Sequence, residues 1–360
     1  MKNKKIKIID LFSGCGGLSF GFEMSGCDVL LGIDNWSDAL DSFKKNHKNS
    51  EILCRDIFKI TTKEIKEKIK NQKIDVVVGG PPCQGFSLAG KRKNNDERNK
   101  LVMNYVKLVK KLSPTFFVME NVLGILSMKD EKNNLIIENL EKVFNKMKYK
   151  IVFKTLNAHD YGVPQKRKRV FVVGNKIDVD FKFPEPTHGK LKKDFLTVGD
   201  AISDLPFLEK EFGDEKTNYI NKPKTNYQKN MRKKSNKLWN HTKSKHTEQT
   251  IKVINLVPEG GNWKDLPKKY QNVRSYSNTW RRLHRELPSV TIDTGHRHHF
   301  HYKANRVPTV RESARIQSFP DTFIFKGSRT SQFKQVGNAV PPLLAKVIAE
   351  KINFYIKENE

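Results

Sequence analysis

The feature that most constrains the fold of this chain is a short β-branched run, residues 74–78, followed by two glycines and two prolines. Such a run predicts a strand that is buried on both faces. Pro81 and Pro82 fix φ and disfavour helix at the preceding residue, so the chain must leave the sheet extended. Cys83 then lies just past the carboxyl end of the strand, where open α/β sheets bind ligands. This position suits either a nucleophile or a buried structural thiol, and the stretch alone does not separate the two.

The amino-terminal third reads as repeated strand–turn–helix units. Residues 5–10 form an apolar run that leads into a glycine-rich turn at residues 11–18. A second run, residues 29–33, ends at Asp34, and a third unit ends at residues 55–57. This repetition predicts an α/β fold with a doubly wound, mostly parallel sheet.

The first turn and Asp34 suggest a ligand site. The glycines permit close approach of a ligand to the backbone, and an acidic residue that ends the second strand can hold a ribose. Ser19 stands where the dinucleotide fingerprint would place its third glycine. A nicotinamide cofactor is therefore disfavoured, an adenosine-type ligand stays open, and a plain turn is the alternative.

Two further segments carry candidate functional groups. The apolar run 115–119 should deliver Glu120 to the same sheet edge as Cys83, where its carboxyl could donate a proton, although a helix cap is the alternative. A strand over residues 162–173 would place Gln165, Arg167 and Arg169 on one face. Their planar heads suit a phosphate and a base edge, and a solvated basic edge strand is the alternative.

Composition restricts the class of protein. A length of 360 residues suits one large domain with a smaller companion. The net charge of +29 favours a polyanionic partner, nucleic acid before an anionic membrane, and a general excess of lysine is the alternative. No apolar run approaches a membrane span, and no CxxC pairing indicates zinc or disulfides. We expect a cytoplasmic monomer with no membrane partner and no metal.

The motifs together resemble the bacterial DNA (cytosine-5)-methyltransferase family of restriction–modification systems. The resemblance covers residues 8 to about 344, except for an unmatched segment at about 181–285. It rests on motifs that stand in the family's order: Asp-Leu-Phe-Ser-Gly-Cys-Gly-Gly (10–17), Pro-Pro-Cys-Gln-Gly-Phe-Ser (81–87), Glu-Asn-Val (120–122), Gln-x-Arg-x-Arg (165–169), Arg-Glu-Ser-Ala-Arg-Ile-Gln-Ser-Phe-Pro (311–320) and Gln-Val-Gly-Asn-Ala-Val-Pro-Pro (335–342).

The resemblance implies a mechanism. Cys83 would add to carbon 6 of a cytosine flipped out of duplex DNA, and Glu120 would bond N3 and the amine. Arg167 and Arg169 would steady the base carbonyl, the Cys83 loop and a phosphate. The remaining substrate-binding candidates are Gln84, Ser87 and Gln165.

S-adenosyl-L-methionine is the implied cofactor. By position, Phe12, Ser13, Gly14 and Gly16 would line it, Asp34 would hold the ribose, Asp56 and Ile57 would flank the adenine, and Pro82 and Asn338 would complete the site. Many members place an aromatic residue directly after the acidic one. Here Asn35 holds that position and Trp36 follows, so adenine stacking by Trp36 is left open.

In the family, the unmatched segment recognises the target sequence. Residues 216–246 contain ten Lys or Arg and no Asp or Glu, with Tyr219, Tyr227 and Trp239 interleaved. This composition fits phosphate binding combined with reader side chains, and a solvated basic loop is the alternative. Four histidines follow at alternating spacing, which a polar strand face also gives, so no metal is expected. They are His296, His298, His299 and His301.

The predicted organisation has two domains. Residues 1–176 and 330–360 form the catalytic and cofactor-binding domain, and residues 177–329 form a smaller target-recognition domain. Double-stranded DNA is the expected partner, and whether a cognate restriction endonuclease exists is left open. A tRNA cytosine-5 methyltransferase would share Cys83 and Glu120, but its Cys-Phe-Thr marker is absent here. An inactive DNA-binding module would need neither residue.

Overall fold

The computed structural model describes residues 5–82, 99–130, 133–209, 211–271, 280–295 and 298–360. The chain divides into two compact units. The first comprises Met1–Asn157, Lys168–Glu185 and Pro342–Glu360, and the second comprises Ala158–Arg167 and Pro186–Pro341. Residues 158–167 and 330–341, which were predicted in the first domain, belong to the second unit, and residues 177–185, which were predicted in the second domain, belong to the first unit.

The strands within the described residues are β1 Lys7–Leu11, β2 Asp28–Asp34, β3 Glu51–Cys54, β4 Val76–Gly79, β5 Phe116–Asn121, β6 Lys150–Asn157, β7 Lys168–Asn175, β8 Lys216–Thr217, β9 Leu238–Trp239, β10 Arg281–Arg282 and β11 His299–Phe300. The α-helices there are α1 Gly17–Met24, α2 Ser37–Asn46, α3 Thr62–Lys68, α4 Asn99–Leu112, α5 Ile136–Lys146, α6 Val198–Ile202, α7 Asn226–Arg232, α8 Glu248–Asn255, α9 Val310–Ile316, α10 Arg329–Asn338 and α11 Pro342–Glu358.

The first unit is built on a sheet with the strand order β3-β2-β1-β4-β5-β7-β6. Strands β1 to β5 pair in parallel, whereas β7 runs antiparallel to both β5 and β6. The predicted α/β class with a mostly parallel sheet is confirmed. The antiparallel pairing of β5 with β7 brings the start of β7 to the same edge as the end of β5, because Asn121 pairs with Val170.

The central strands of this sheet are buried along their whole length, as their apolar sequences predict. Every residue of β4 and β5 is buried. Gly79, the last residue of β4, allows close packing, since a Cβ there would lie 2.4 Å from the carbonyl oxygen of Leu11. The phenol of Tyr105 in α4 lies within hydrogen-bonding distance of the carbonyls of Val77 and Val118. This packing fixes the strand ends that precede Cys83 and carry Glu120.

The second unit consists of short elements around a buried polar centre. The Arg315 side chain is fully buried and donates hydrogen bonds to the carboxylates of Asp204 and Asp321. A separate apolar cluster contains Val253, Trp280, Phe300 and their neighbours. Buried charges of this kind must be paired, and the multiple hydrogen bonds meet that requirement.

Candidate active site

The strand that leads to the predicted nucleophile ends in a turn with a defined anchor. Cys83, Gln84 and Ser87 lie between Pro82 and Asn99, in a stretch outside the described residues. The side-chain amide of Asn121 donates a 3.1 Å hydrogen bond to the carbonyl of Pro81. Asn121 therefore ties the end of β5 to the proline turn after β4. The sequence analysis did not single out this residue, although its place directly after Glu120 was the available signal.

Glu120 and Arg169 meet at the sheet edge. The Nε of Arg169 lies 3.0 Å from the Oε1 of Glu120, and the two side chains are only 16% and 12% exposed. Gly80 is also close, since a Cβ on it would lie 3.2 Å from the Oε2 of Glu120. The carboxylate thus lies beside the backbone that continues toward Cys83. This arrangement brings together two of the predicted catalytic residues and the approach to the third.

Gln165 and Arg167 do not share a strand face with Arg169, so that prediction is wrong. Strand β7 begins only at Lys168, and Gln165 instead forms a parallel bridge with Ser289 in the second unit. The side chains of Gln165 and Arg167 are both buried. The guanidinium of Arg167 donates to the carbonyls of Ile292 and Gly337 at 3.2 and 2.9 Å. The alternation rule failed because it was applied to residues before the strand begins.

Gln165 completes a buried network around the end of α10. Its amide nitrogen donates to Gln317 at 2.6 Å, and its oxygen accepts from the backbone of Ile292 at 2.9 Å. Gln317 in turn donates to the carbonyl of Val336. Exposed Asn338 ends this helix within the second unit.

The glycine-rich turn after β1 is held by Asp34. One oxygen of this carboxylate accepts from the backbone of Gly14 at 2.8 Å, and the other accepts from Trp36 at 3.0 Å. Gly14 and Gly16 have φ values of 53° and 95°, in the region that favours glycine. Phe12 also adopts a positive φ, of 61°. Asp34 therefore fixes the shape of the turn as well as ending β2.

Asp10 is a second acidic residue at this turn, and the sequence analysis did not assign it a role. It is 1% exposed, and burial raises its pKa to about 7. The hydroxyl and the backbone N–H of Ser19 offset part of this rise, although neither carboxylate oxygen reaches full hydrogen-bond geometry with a described residue. The carboxyl is thus weakly satisfied, and the site suits a ligand with a cationic or hydrogen-bond-donating group. The signal was an acidic residue directly before the glycine-rich turn.

The remaining predicted cofactor residues lie at the ends of neighbouring strands. The backbone of Arg55 donates to the carbonyl of Asp34 at 2.9 Å, which joins the segments after β2 and β3. Asp56 accepts from the backbone of Phe58 at 3.0 Å, and Ile57 is buried. Asn35 is exposed, and Trp36 caps helix α2. These residues share the sheet edge of the glycine-rich turn.

The basic segment 216–246 presents lysines to solvent and buries aromatic groups. Eight of its ten basic residues are exposed, namely Lys216, Lys222, Lys224, Lys229, Lys233, Lys234, Lys237 and Lys245. Tyr227 is buried, and its hydroxyl donates to the carbonyl of Arg315 at 2.5 Å. The hydroxyl of Tyr219 bonds Asp321, and the guanidinium of Arg232 covers its ring. Tyr219 and Tyr227 therefore anchor the segment to Asp321 and Arg315.

Two of the four histidines, His298 and His301, make contacts with other groups of the protein. The Nδ1 of His298 lies 2.6 Å from the carboxylate of Asp293. His301 accepts backbone hydrogen bonds from Lys303 and Ala304 through its Nδ1. His296 lies outside the described residues. Among the residues that are described, no group of three or more His, Cys, Asp or Glu side chains could hold a metal ion.

Comparison with known proteins places these features in one family. The family model for C-5 cytosine-specific DNA methylase matches residues 6–353. The type II methyltransferase M.DdeI of Desulfomicrobium norvegicum is 38% identical, over 98% of this chain and 89% of that relative. M1.HphI of Haemophilus parahaemolyticus is also 38% identical, over 96% of this chain and 86% of its own length.

A solved structure agrees with the sequence relatives. It is described as a DNA modification methyltransferase encoded within a prophage of E. coli, and it matches with a TM-score of 0.79 at 28% identity. The match covers 98% of this chain and all of that one. The chain therefore belongs to the C-5 cytosine-specific DNA methylase family, as a DNA (cytosine-5-)-methyltransferase of the restriction–modification type. Within the described ranges, no helix is long and apolar enough to cross a membrane.

Proposed function

We propose that this protein methylates carbon 5 of a flipped-out cytosine within a specific double-stranded DNA sequence, through a covalent bond from Cys83. The observation that carries the proposal is the Glu120–Arg169 pair at the edge where β4 leads into the proline turn. Membership of the family supports the class of reaction, and this pair supports the assignment of residues.

The chemistry explains why each group is needed. Carbon 5 of cytosine is a weak nucleophile until a thiolate adds at carbon 6 and turns the ring into an enamine. The carboxyl of Glu120 bonds N3 and the exocyclic amine, which offsets the charge that develops on the ring. Arg169 holds that carboxyl and faces the base carbonyl. After methyl transfer, loss of the proton from carbon 5 expels Cys83 and releases 5-methylcytosine.

Arg167 and Gln165 have a structural role that differs from the role of Arg169. Their hydrogen bonds go to Ile292, Gly337 and Gln317, so they contribute by holding the segment that ends at Asn338. Gln84 and Ser87 stay candidates for contacts with the flipped base and its phosphates. Enzymes that act on a base inside duplex DNA must extrude it from the stack.

S-adenosyl-L-methionine, when bound, supplies an electrophilic methyl group. The described residues fit it, because Gly14, where a Cβ would meet nothing within 4 Å, leaves the backbone of the turn open beside the carboxyl of Asp34, and the buried carboxyl of Asp10 lies near the end of the preceding strand, β1. Phe12, Ser13 and Gly16 would line the cofactor, and Asp10 would accept from its ammonium group. Asp34 would hold the ribose. The adenine would contact the residues that follow β2 and β3, which are Asn35, Trp36, Asp56 and Ile57. Pro82 and Asn338 are further candidates for contacts with the cofactor.

The second unit would recognise the target. Exposed lysines of residues 216–246 suit phosphate contacts, which position a protein on DNA without reading sequence. A role in protecting host DNA follows from the type II relatives, and a partner endonuclease would act on the same site.

The test is methyl transfer with purified protein. Labelled S-adenosyl-L-methionine should transfer its methyl group to duplex DNA and not to tRNA, and bisulfite sequencing should show one protected sequence. Labelling of tRNA alone would replace the proposal with the tRNA enzyme. Binding to DNA without any labelling would favour an inactive binding module.

A further inference from the structure

The turn formed by residues 189–193 of the second unit carries a leucine at its apex. The backbone of Gly189 donates to Lys193, and that of Lys192 donates to Gly189, each at 2.9 Å. Leu191 has a φ of 62° and is 97% exposed. A left-handed conformation costs free energy for leucine, and no burial of the side chain offsets that cost. Glycine or asparagine would fit this position better, so leucine here calls for another explanation.

The turn is held firmly at its base. The backbone N–H groups of Thr187 and His188 both donate to the carbonyl of Asp160, at 2.9 and 3.0 Å. The ring of His188 packs against Gly162, where a Cβ would lie 2.9 Å from it. Phe195 packs against His159 with ring centres 4.3 Å apart and the ring planes tilted by 58°. The leucine is therefore presented by an anchored support rather than by a loose loop.

The flanks of the apex are basic. Lys190, Lys192 and Lys193 are all exposed, and Asp194 is the acidic residue that follows them. The ammonium group of Lys192 also donates to the carbonyl of Pro186 at 2.7 Å, which leaves the other two lysines as the better phosphate ligands. An exposed apolar side chain between cationic ones matches the chemistry of a DNA groove, where phosphates flank sugars and base edges.

We propose that this turn is a duplex-DNA contact, in which Leu191 packs against sugar and base surface in a groove while Lys190 and Lys193 bind the flanking phosphates. The inference rests on the proposed function and adds a contact outside the basic segment 216–246. The backbone strain at Leu191 is retained because the side chain gains its contacts only on DNA.

The first test replaces Leu191 with glycine, which removes the strain and the apolar group together. The Leu191→Gly protein should keep or raise its melting temperature, and its dissociation constant should weaken about fivefold. The measurement is fluorescence anisotropy with a labelled duplex that contains the methylated site. Because no charge is removed, the dependence of affinity on salt should stay the same.

The second test separates the charges from the leucine. The double variant K190Q/K193Q should weaken binding and reduce the slope of log affinity against log salt by up to about two. The matched control K142Q/K146Q, on helix α5, should leave both values unchanged.

The outcomes distinguish the inference from the proposed function. Failure of the wild-type protein to bind or methylate DNA would remove both. Normal activity, with Leu191→Gly binding DNA as tightly as the wild type, would overturn the inference alone. If the Leu191→Gly and K190Q/K193Q proteins bound phosphatidylglycerol vesicles more weakly than the wild type but bound DNA equally well, the inference would be overturned in favour of a membrane contact.

Discussion

The guanidinium of Arg169 lies 3.0 Å from the carboxylate of Glu120, although 49 positions separate the two residues in the sequence (169 − 120). The antiparallel pairing of β5 with β7 brings them together, because the end of one strand lies beside the start of the other. A cation at this distance favours the ionised carboxyl, whereas bonding to the base requires a hydrogen-bond donor. In the proposed mechanism, binding of the cytosine therefore changes the interaction between Glu120 and Arg169.

Replacing either member should damage catalysis more than binding. We expect Glu120→Gln and Arg169→Gln each to lower kcat by about a hundredfold or more, since the proposed mechanism has both of them contact the reacting base. Loss of one partner should also cost on the order of 3 kcal/mol in the free energy of unfolding, because the other charge stays largely buried. A double-mutant cycle on kcat and on urea unfolding checks both values. Strictly additive effects would contradict a functional pair.

Asp10→Asn should have opposite effects on stability and on cofactor binding. The pKa of Asp10 is raised from 3.8 to about 7 by burial, so its carboxyl ionises later in the folded state than in the unfolded state. Stability is therefore lost as pH rises from about 4 to 7. At pH 8 the variant should be more stable without cofactor by up to about 4 kcal/mol. It should bind S-adenosyl-L-methionine at least about tenfold more weakly, by calorimetry.

The control for this prediction is Asp41→Asn, which changes an exposed carboxyl on helix α2. This variant should change neither the stability at pH 8 nor the affinity for S-adenosyl-L-methionine. Unchanged cofactor affinity in Asp10→Asn would contradict the role of Asp10.

His301 should make the second unit sensitive to acid. Its pKa is lowered from 6.5 to about 4 by burial, and its Nδ1 accepts two backbone hydrogen bonds that protonation would break. The unfolded state therefore binds the proton first, and stability is lost as pH falls from about 6.5 to 4. The loss should reach about 3 kcal/mol. His301→Asn, which keeps an acceptor, should show a flatter pH profile in chemical unfolding, whereas an unchanged profile would assign the effect elsewhere.

Neutralising lysines of the basic segment should weaken DNA binding through charge alone. The triple variant K222Q/K229Q/K233Q should reduce the salt slope of binding by up to about three, since each phosphate contact releases about one counterion. The triple variant K63Q/K66Q/K68Q, at three exposed lysines of helix α3, is the matched control in the first unit. A slope equal to that of the wild type would mean that residues 216–246 are a solvated surface.

The sheet was predictable because its signals are local. The strands at residues 74–78 and 115–119 are apolar on both faces, and glycines or acidic residues mark their ends. Strand β6 was missed because residues 150–157 mix lysine and threonine with apolar residues, as an edge strand does.

The site was predictable in its residue types but less so in its contacts. The sequence predicted that Glu120 ends a buried strand, as it does in β5, but it did not predict that Arg169 lies beside Glu120. The sequence could not show that the Arg167 side chain bonds Ile292 and Gly337, because its direction depends on where β7 begins. Tyr219 and Tyr227 likewise look the same in sequence whether they face DNA or the Arg315 cluster. Only tertiary packing decides between these alternatives.

The most direct measurement is trapping of the covalent intermediate on duplex DNA that carries 5-fluorocytosine at the target. The fluorine cannot leave as the proton does, so wild-type protein with S-adenosyl-L-methionine should give an adduct that survives a denaturing gel. Cys83→Ala should give none while still binding the duplex. An adduct that persists in Cys83→Ala, or wild-type protein that makes 5-methylcytosine but forms no adduct, would contradict the account.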